Sequence, residues 1–210
     1  MDAYDPRSTQ LGEMENLQRL ATYPSFVYGH NHSHKVVKLL SHFKLIQTLT
    51  FMLLYPLEIT NHEYLMEDIT RLPKIVAMNL LIETNGHSFG TSLFHLLSMC
   101  TGVRKLTITL DCKTSHPVTE CPAGCVCDQM PNWKTEELTL NCLKEVKVNN
   151  LGATNHEAAL VKRLLEWATV LQTMTVAFDR SVAGSKAKEF CQMLQSFSRP
   201  EICMRGPHFA

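Results

Sequence analysis

Apolar residues along this chain recur in a frame that can be written [ILV]-x-x-[LMV]-x-[LFIV]-x-[LIF]. It is met at "IQTLTFML" from Ile46, "IVAMNLLI" from Ile75, "VRKLTITL" from Val103 and "LQTMTVAF" from Leu171. A fifth run, "LKEVKVNN" from Leu143, keeps the first three positions and reaches its last apolar residue, Leu151, one place late. Alternation over the last positions predicts a strand with one face buried. The segments between carry helical spacing instead. "SLFHLLSMC" places Leu93, Phe94, Leu96 and Leu97 on one side, and "EAALVKRLLEWATVL" does the same with Ala159, Leu160, Leu164, Trp167, Ala168 and Leu171. In "SKAKEFCQMLQSF" the stripe is Phe190, Met193, Leu194 and Phe197, with Ser185 as the predicted N-cap. The unit is a strand followed by a helix.

The five frames begin 29, 28, 40 and 28 residues apart. Weaker copies flank them: "LQRLATYP" from Leu17, one step before Ile46, and a last frame from Arg199 in which Ile202 and Met204 take the second and third positions. One strand and one helix cannot hide enough apolar surface to offset the entropy of ordering them, so neighbouring units must share a core. The period falls at the long end of the leucine-rich-repeat range. The predicted fold is therefore α/β: a leucine-rich-repeat-like solenoid with a curved parallel sheet and an outer layer of helices. Repeat-like units are assigned to residues 1–111, the first one partial, a Cys-rich insertion loop to 112–134, and further repeat units to 135–210. Asn149 and Asn150 have no equivalents in the other frames, so no asparagine ladder is expected.

The long interval exceeds the period by 12 residues, and the excess coincides with "DCKTSHPVTECPAGCVCDQMPNW". Cys112, Cys121, Cys125 and Cys127, with His116, supply zinc-ligand chemistry. The spacing C-x8-C-x3-C-x-C nevertheless lacks paired C-x2-C knuckles, and Cys125 and Cys127 stand closer than the usual ligand pair. Free or part-buried thiols are expected, with no metal and no cofactor; lengthening a surface loop by a dozen residues costs little closure entropy. "GHNHSH" alternates His30, His32 and His34, but Gly29 and Asn31 make it a turn, with Ser33 capping a helix over "HKVVKLLSHF".

"GHSFG", Gly86 to Gly90, matches the G-x-S-x-G nucleophile elbow and stands between a predicted strand and a predicted helix. As a serine hydrolase the chain would use Ser88 as nucleophile, His156 or His208 as base, and Asp111, Asp128 or Asp179 as orienter. Against this, the preceding strand is one of a repeating set, no HGGG-like oxyanion loop lies upstream, and Glu83, Thr84 and Asn85 intervene before the motif. The simpler account has Ser88 or Thr91 capping the helix while Gly86 and Gly90 supply turns. No enzymatic activity is expected.

Composition narrows the partners. The chain has 20 basic and 20 acidic residues, a formal net charge of zero, so no general attraction to nucleic acid or anionic lipid follows. Its start, "MDAYDPRSTQLGEMENLQ", has neither the basic patch nor the apolar core of a signal peptide. "LIQTLTFMLLYPLEI", the most apolar stretch, is interrupted by Gln47, Thr48, Thr50 and Pro56 and is too short for a membrane span. A cytoplasmic or nuclear protein is expected, with its eight cysteines reduced and the sequon at Asn31 without sugar. Neither nucleic acid nor membrane is an expected partner.

Positions alternating with the buried ones face the concave side of such a sheet. They are Thr48, Thr50 and Met52; Ala77, Asn79 and Leu81; Lys105, Thr107 and Thr109; Glu145, Lys147 and Asn149; and Thr173, Thr175 and Ala177. The partner-binding residues nominated from this set are Thr48, Thr50, Asn79, Lys105, Thr107, Thr109, Glu145, Lys147, Asn149, Thr173 and Thr175. Lys105, Glu145 and Lys147 stand out because they flank the insertion.

From the insertion onward, "CPAGCVCDQMPNWKTEELTLNCLKEVKVNNLGATNHEAALVKRLLEWATVLQTMTVAFD" resembles the C-terminal FBD segment of plant, particularly grass, F-box/leucine-rich-repeat proteins. Trp133, "CLKEV", "HEAALVKRLLEWATVL" and "MTV" stand in the family's order, and "LPKIVAMNLLIETNGHSFGTSLFHLLSMCTGVRKLTITL" looks like the repeat region of the same proteins. The likeness runs from about Leu17 to Met204. It implies the substrate-recognition region of a cullin-type ubiquitin-ligase subunit, with repeats that hold a target protein. No F-box pattern, "LP..LL..I" with a later serine-rich tract before a tryptophan, is met in the sequence. Docking to the ligase adaptor is thus not expected, and a truncated product or an F-box-less relative fits the pattern.

Overall fold

A computed structural model of the chain describes residues 14–27, 39–57, 59, 72–111, 125, 127 and 133–209. Seven strands form one sheet in the order of the sequence: β1 (Met14–Val27), β2 (Phe43–Leu54), β3 (Lys74–Glu83), β4 (Lys105–Asp111), β5 (Glu145–Leu151), β6 (Thr173–Phe178) and β7 (Cys203–Phe209). Every neighbouring pair is parallel. Three helices are described: α1 (Gly90–Met99) after β3, α2 (Asn155–Trp167) after β5 and α3 (Gly184–Phe197) after β6. The protein is thus α/β, with a single all-parallel sheet. Between β4 and β5, residues 133–144 are turns and irregular chain.

The apolar frame is the inner face of this sheet. In β2 to β6 all its positions are buried, from Ile46, Leu49, Phe51 and Leu53 to Leu171, Met174, Val176 and Phe178. Register follows the frame from strand to strand: Leu17 beside Ile46, Ile46 beside Ile75, Met78 beside Leu106, Leu106 beside Val146, Val146 beside Met174. A slip of one residue would turn each buried set outward, so burial fixes the pairing. The fifth frame's late Leu151 has a cause: a register shift between Val148 and Leu151, with Asn150 at φ 60°, lets Leu151 turn inward beside Phe178.

At the C-terminal end the frame stands two residues later than the sequence spacing places it, because β6 pairs Met174 with Met204. Ile202 is buried and its N–H reaches the Arg199 carbonyl at 3.1 Å, as Leu171 reaches Ala168 and Val103 reaches Cys100. It opens the strand instead of taking the frame's second position.

Strand and helix residues share one core, in which Leu93, Leu96 and Leu97 of α1, Leu160, Val161, Leu164 and Leu165 of α2, and Ala187, Phe190 and Leu194 of α3 meet the frame. Phe190 packs edge-on against Phe178 with ring centroids 5.6 Å apart, and Phe94 of α1 meets Trp167 of α2 at 5.4 Å. Met193 and Phe197, expected inside, are exposed: the core-facing stripe of α3 is narrower than its apolar stripe. The caps differ from expectation too. α3 is preceded by Ala183 with no side-chain cap, and α1 by Phe89, so neither Ser185, Ser88 nor Thr91 caps a helix. The residues 28–38, holding the histidine-rich turn, the sequon and Ser33, lie outside the described set.

Candidate functional site

The nominated strip residues come together as rows across the sheet. In the first row Arg19, Thr48, Ala77, Lys105, Glu145, Thr173 and Cys203 are successive neighbours. The second runs Ala21, Thr50, Asn79, Thr107, Lys147, Thr175 and Arg205. A shorter third row holds Met52, Leu81, Thr109 and Asn149. Parallel strands set the partners in a row on the same side of the sheet, so each row forms a line of side chains. Lys105, Glu145 and Lys147 are exposed, and the threonines and asparagines of the strip are half-buried. Ala177 departs from expectation. It is buried, because the ladder shifts between Thr175 and Ala177.

Hydrogen bonds tie the rows together. Asn79 Nδ2 donates to Thr50 Oγ1 and Asn149 Nδ2 to Thr109 Oγ1, each at 3.1 Å, and Lys105 Nζ lies 2.9 Å from the Glu145 carboxylate. The ion pair leaves Arg19 as the uncompensated charge of the first row, whereas the second carries Lys147 and Arg205, two strands apart. Arg205, Arg19 and Cys203 escape the sequence reading. The two-residue offset of the last frame hides Cys203 and Arg205, and the degraded frame of β1 hides Arg19. Two further asparagines link neighbouring units: Asn85 Nδ2 donates to the Tyr55 carbonyl at 2.7 Å and Asn150 Nδ2 to the Leu110 carbonyl at 3.0 Å. Both adopt positive φ, a conformation asparagine tolerates, but they occupy unlike positions of the frame and make no continuous ladder.

A second cluster gathers at the turn between β3 and α1. Asn85 and Gly86, at φ 45° and 84°, reverse the chain and deliver His87, Ser88 and Phe89 to the start of α1. Gly90 is small for a different reason: a Cβ there would stand 2.2 Å from the indole of Trp133, which is almost wholly buried. Ser88 Oγ meets the ring of His156, from α2, at 3.3 Å to Nδ1 and 3.5 Å to Nε2. The motif's serine and one of its candidate bases are therefore in contact. A hydrogen bond along the lone pair of one ring nitrogen would leave the other about two ångströms farther away. Near-equal distances put the hydroxyl off both axes.

The same ring is held edge-on by Phe89 and Trp133, at 5.1 and 5.4 Å. Of the candidate orienters, Asp179 receives the Ser181 N–H at 2.8 Å, and hydrogen bonds from the Ser181 side chain and backbone hold its carboxyl below the usual range. His208 lies on β7 beside Ala177. Asp128 is outside the described residues, as is the side chain of Asp111.

Of the cysteine-rich insertion, Cys125 and Cys127 are described, and Cys112, Cys121 and His116 are not. Their ligand atoms and the His87 ring nitrogen lie within 4.8 Å of one another, which makes these three the residues able to hold a metal among those described. The closeness of Cys125 and Cys127 in sequence, read as an obstacle to joint ligation, is thus no obstacle in space. Cys100 is a different kind of thiol, walled into the core, where burial pushes its pKa up to about 12.

Compared with known proteins, the chain matches no family model, no curated protein and no solved structure. No helix among the described residues is long and apolar enough to cross a membrane.

Proposed function

We propose that this chain is a non-enzymatic protein-interaction module, a leucine-rich-repeat-like solenoid whose polar sheet face receives a partner protein. On the likeness to F-box/FBD proteins, the partner class is a substrate to be recruited for ubiquitin ligation. The observation that carries the reading is the register: residues nominated one by one from five frames stand as unbroken rows across the sheet. An array of hydroxyls, amides and mixed charge fits a protein surface better than the uniformly basic face that a phosphate backbone requires.

Lys147→Glu is expected to weaken partner binding by about tenfold or more, because the charge it reverses faces outward, with an unchanged melting temperature. The experiment compares partner recovery from the native cell for the wild-type chain and the variant, with melting curves of both. Equal recovery by the two removes the strip from consideration. Loss of folding contradicts the outward placement of Lys147. Recovery of a cullin adaptor would restore the ligase role without the F-box pattern.

The Ser88–His156 contact favours a second reading, serine hydrolysis. Its ring geometry argues against proton transfer along a nitrogen lone pair, and labelling of Ser88 by a fluorophosphonate probe would establish it regardless.

A further inference from the structure

His87 and the pair Cys125 and Cys127 come from segments about 38 residues apart, yet the fold brings their ligand atoms into one small volume. We propose that His87 Nδ1 and the Cys125 and Cys127 thiolates form a zinc(II) site that fastens the cysteine-rich insertion to the turn between β3 and α1.

The distances fit the ion. Cys125 Sγ stands 3.5 Å from His87 Nδ1. Zinc bonds of ordinary length to sulfur and nitrogen at a tetrahedral angle separate the two ligand atoms by about 3.6 Å. The supporting contacts fit as well. His87 Nε2 lies 3.3 Å from the Leu57 carbonyl, and since a carbonyl only accepts, Nε2 donates there. In the neutral ring this leaves the Nδ1 lone pair directed at Cys125, the arrangement in which a metal-bound histidine is steadied by its second nitrogen. The Ser88 N–H points at Cys127 Sγ at 3.4 Å, the kind of outer contact that orients a metal ligand. Tyr55 stacks beside the imidazole at 6.1 Å and holds its plane.

Two soft sulfurs and one imidazole are a zinc-type donor set, unsuited to the oxygen-seeking magnesium or calcium. His87 and Cys127 are buried and Cys125 half-buried, so the ion would be shielded on the core side. What such a site would do is mechanical: it would pin one end of the insertion to the turn that follows the C-terminal end of β3.

The test uses the full chain, purified under reducing conditions, loaded with zinc and dialysed. The chain is expected to keep one zinc and to melt at a higher temperature with the metal than after chelation. Zinc should protect Cys125 and Cys127 from alkylation while leaving Cys203 reactive, read by peptide mass. In Cys125→Ser and Cys127→Ser, affinity should fall by on the order of 100-fold, the upper end of what loss of a supporting group alone costs. Cys142→Ser should bind as the wild type does. Cobalt in place of zinc should give thiolate charge-transfer absorption that weakens in each single variant. The proposal is overturned by a wild-type chain that retains no zinc, by alkylation of both thiols unaffected by zinc, or by unchanged affinity in Cys125→Ser. Because the wild-type measurements stand alone, variants that fail to fold do not rescue it.

Discussion

Gly90 shows how a residue that reads as part of a catalytic motif can be set by packing alone. Its missing side chain is the space that Trp133 occupies, and the indole is fixed by the core on every side. Gly90→Ala is therefore expected to destabilise the protein by about 2–3 kcal/mol, the upper part of the range for forcing an extra carbon into a filled interior. Urea unfolding of the variant measures this; a loss under about 0.5 kcal/mol would mean that Trp133 does not pack on the start of α1. Gly86 earns its place by backbone conformation instead, at φ 84° in the turn. The "GHSFG" pattern thus splits into a turn residue, a packing residue and, between them, a histidine and a serine that face different neighbours. The turn at Gly86 was legible from the motif; the roles of Gly90 and Ser88 were not, because they depend on Trp133 and His156, which are distant in sequence.

At the scale of the element, α2 carries the plainest local signal in the chain. Thr154 accepts the Glu157 N–H at 3.2 Å, and Glu157 reaches back to the Thr154 N–H at 2.8 Å, a reciprocal capping box. At the other end the Arg199 guanidinium donates to the carbonyls of Leu165 and Ala168, at 2.8 and 2.7 Å, where a positive charge complements the helix dipole. Thr154→Ala should cost about 1 kcal/mol in chemical denaturation, the usual loss for an N-cap, with helix content otherwise retained. No measurable loss would show the box to be dispensable. The spacing T-x-x-E was readable in the sequence; Arg199, arriving from beyond α3, was not. For α1 and α3 the serines available as caps stand at plausible positions and do not cap, since the backbone enters each helix from Phe89 or Ala183.

For the whole molecule, each strand touches only its sequence neighbours in the sheet, so stability is expected to be distributed along the array. The central strands β4 and β5 are flanked on both sides, whereas β1 and β7 are the edges among the described strands. Amide hydrogen exchange should accordingly be slowest in β4 and β5 and fastest in β1 and β7. Exchange at equal rates in β7 and β4 would indicate one cooperative unit rather than graded opening from the ends.

The sequence by itself determined the core-facing frame of β2 to β6, because apolar positions at a spacing of two on a strand can be buried in only one way, but it did not determine the sides taken by Ala177, Met193 and Phe197. It also determined the order and parallel pairing of the strands, since equal spacing stacks like frames side by side and a single interval absorbs the insertion. Only the tertiary structure decided the final register, where Met174 meets Met204, and the company kept by His87, Ser88 and the insertion's thiols. These contacts join segments whose separation in the chain follows no period, and a side chain's partner across such a gap is set by the folded path of the backbone, which local pattern does not encode.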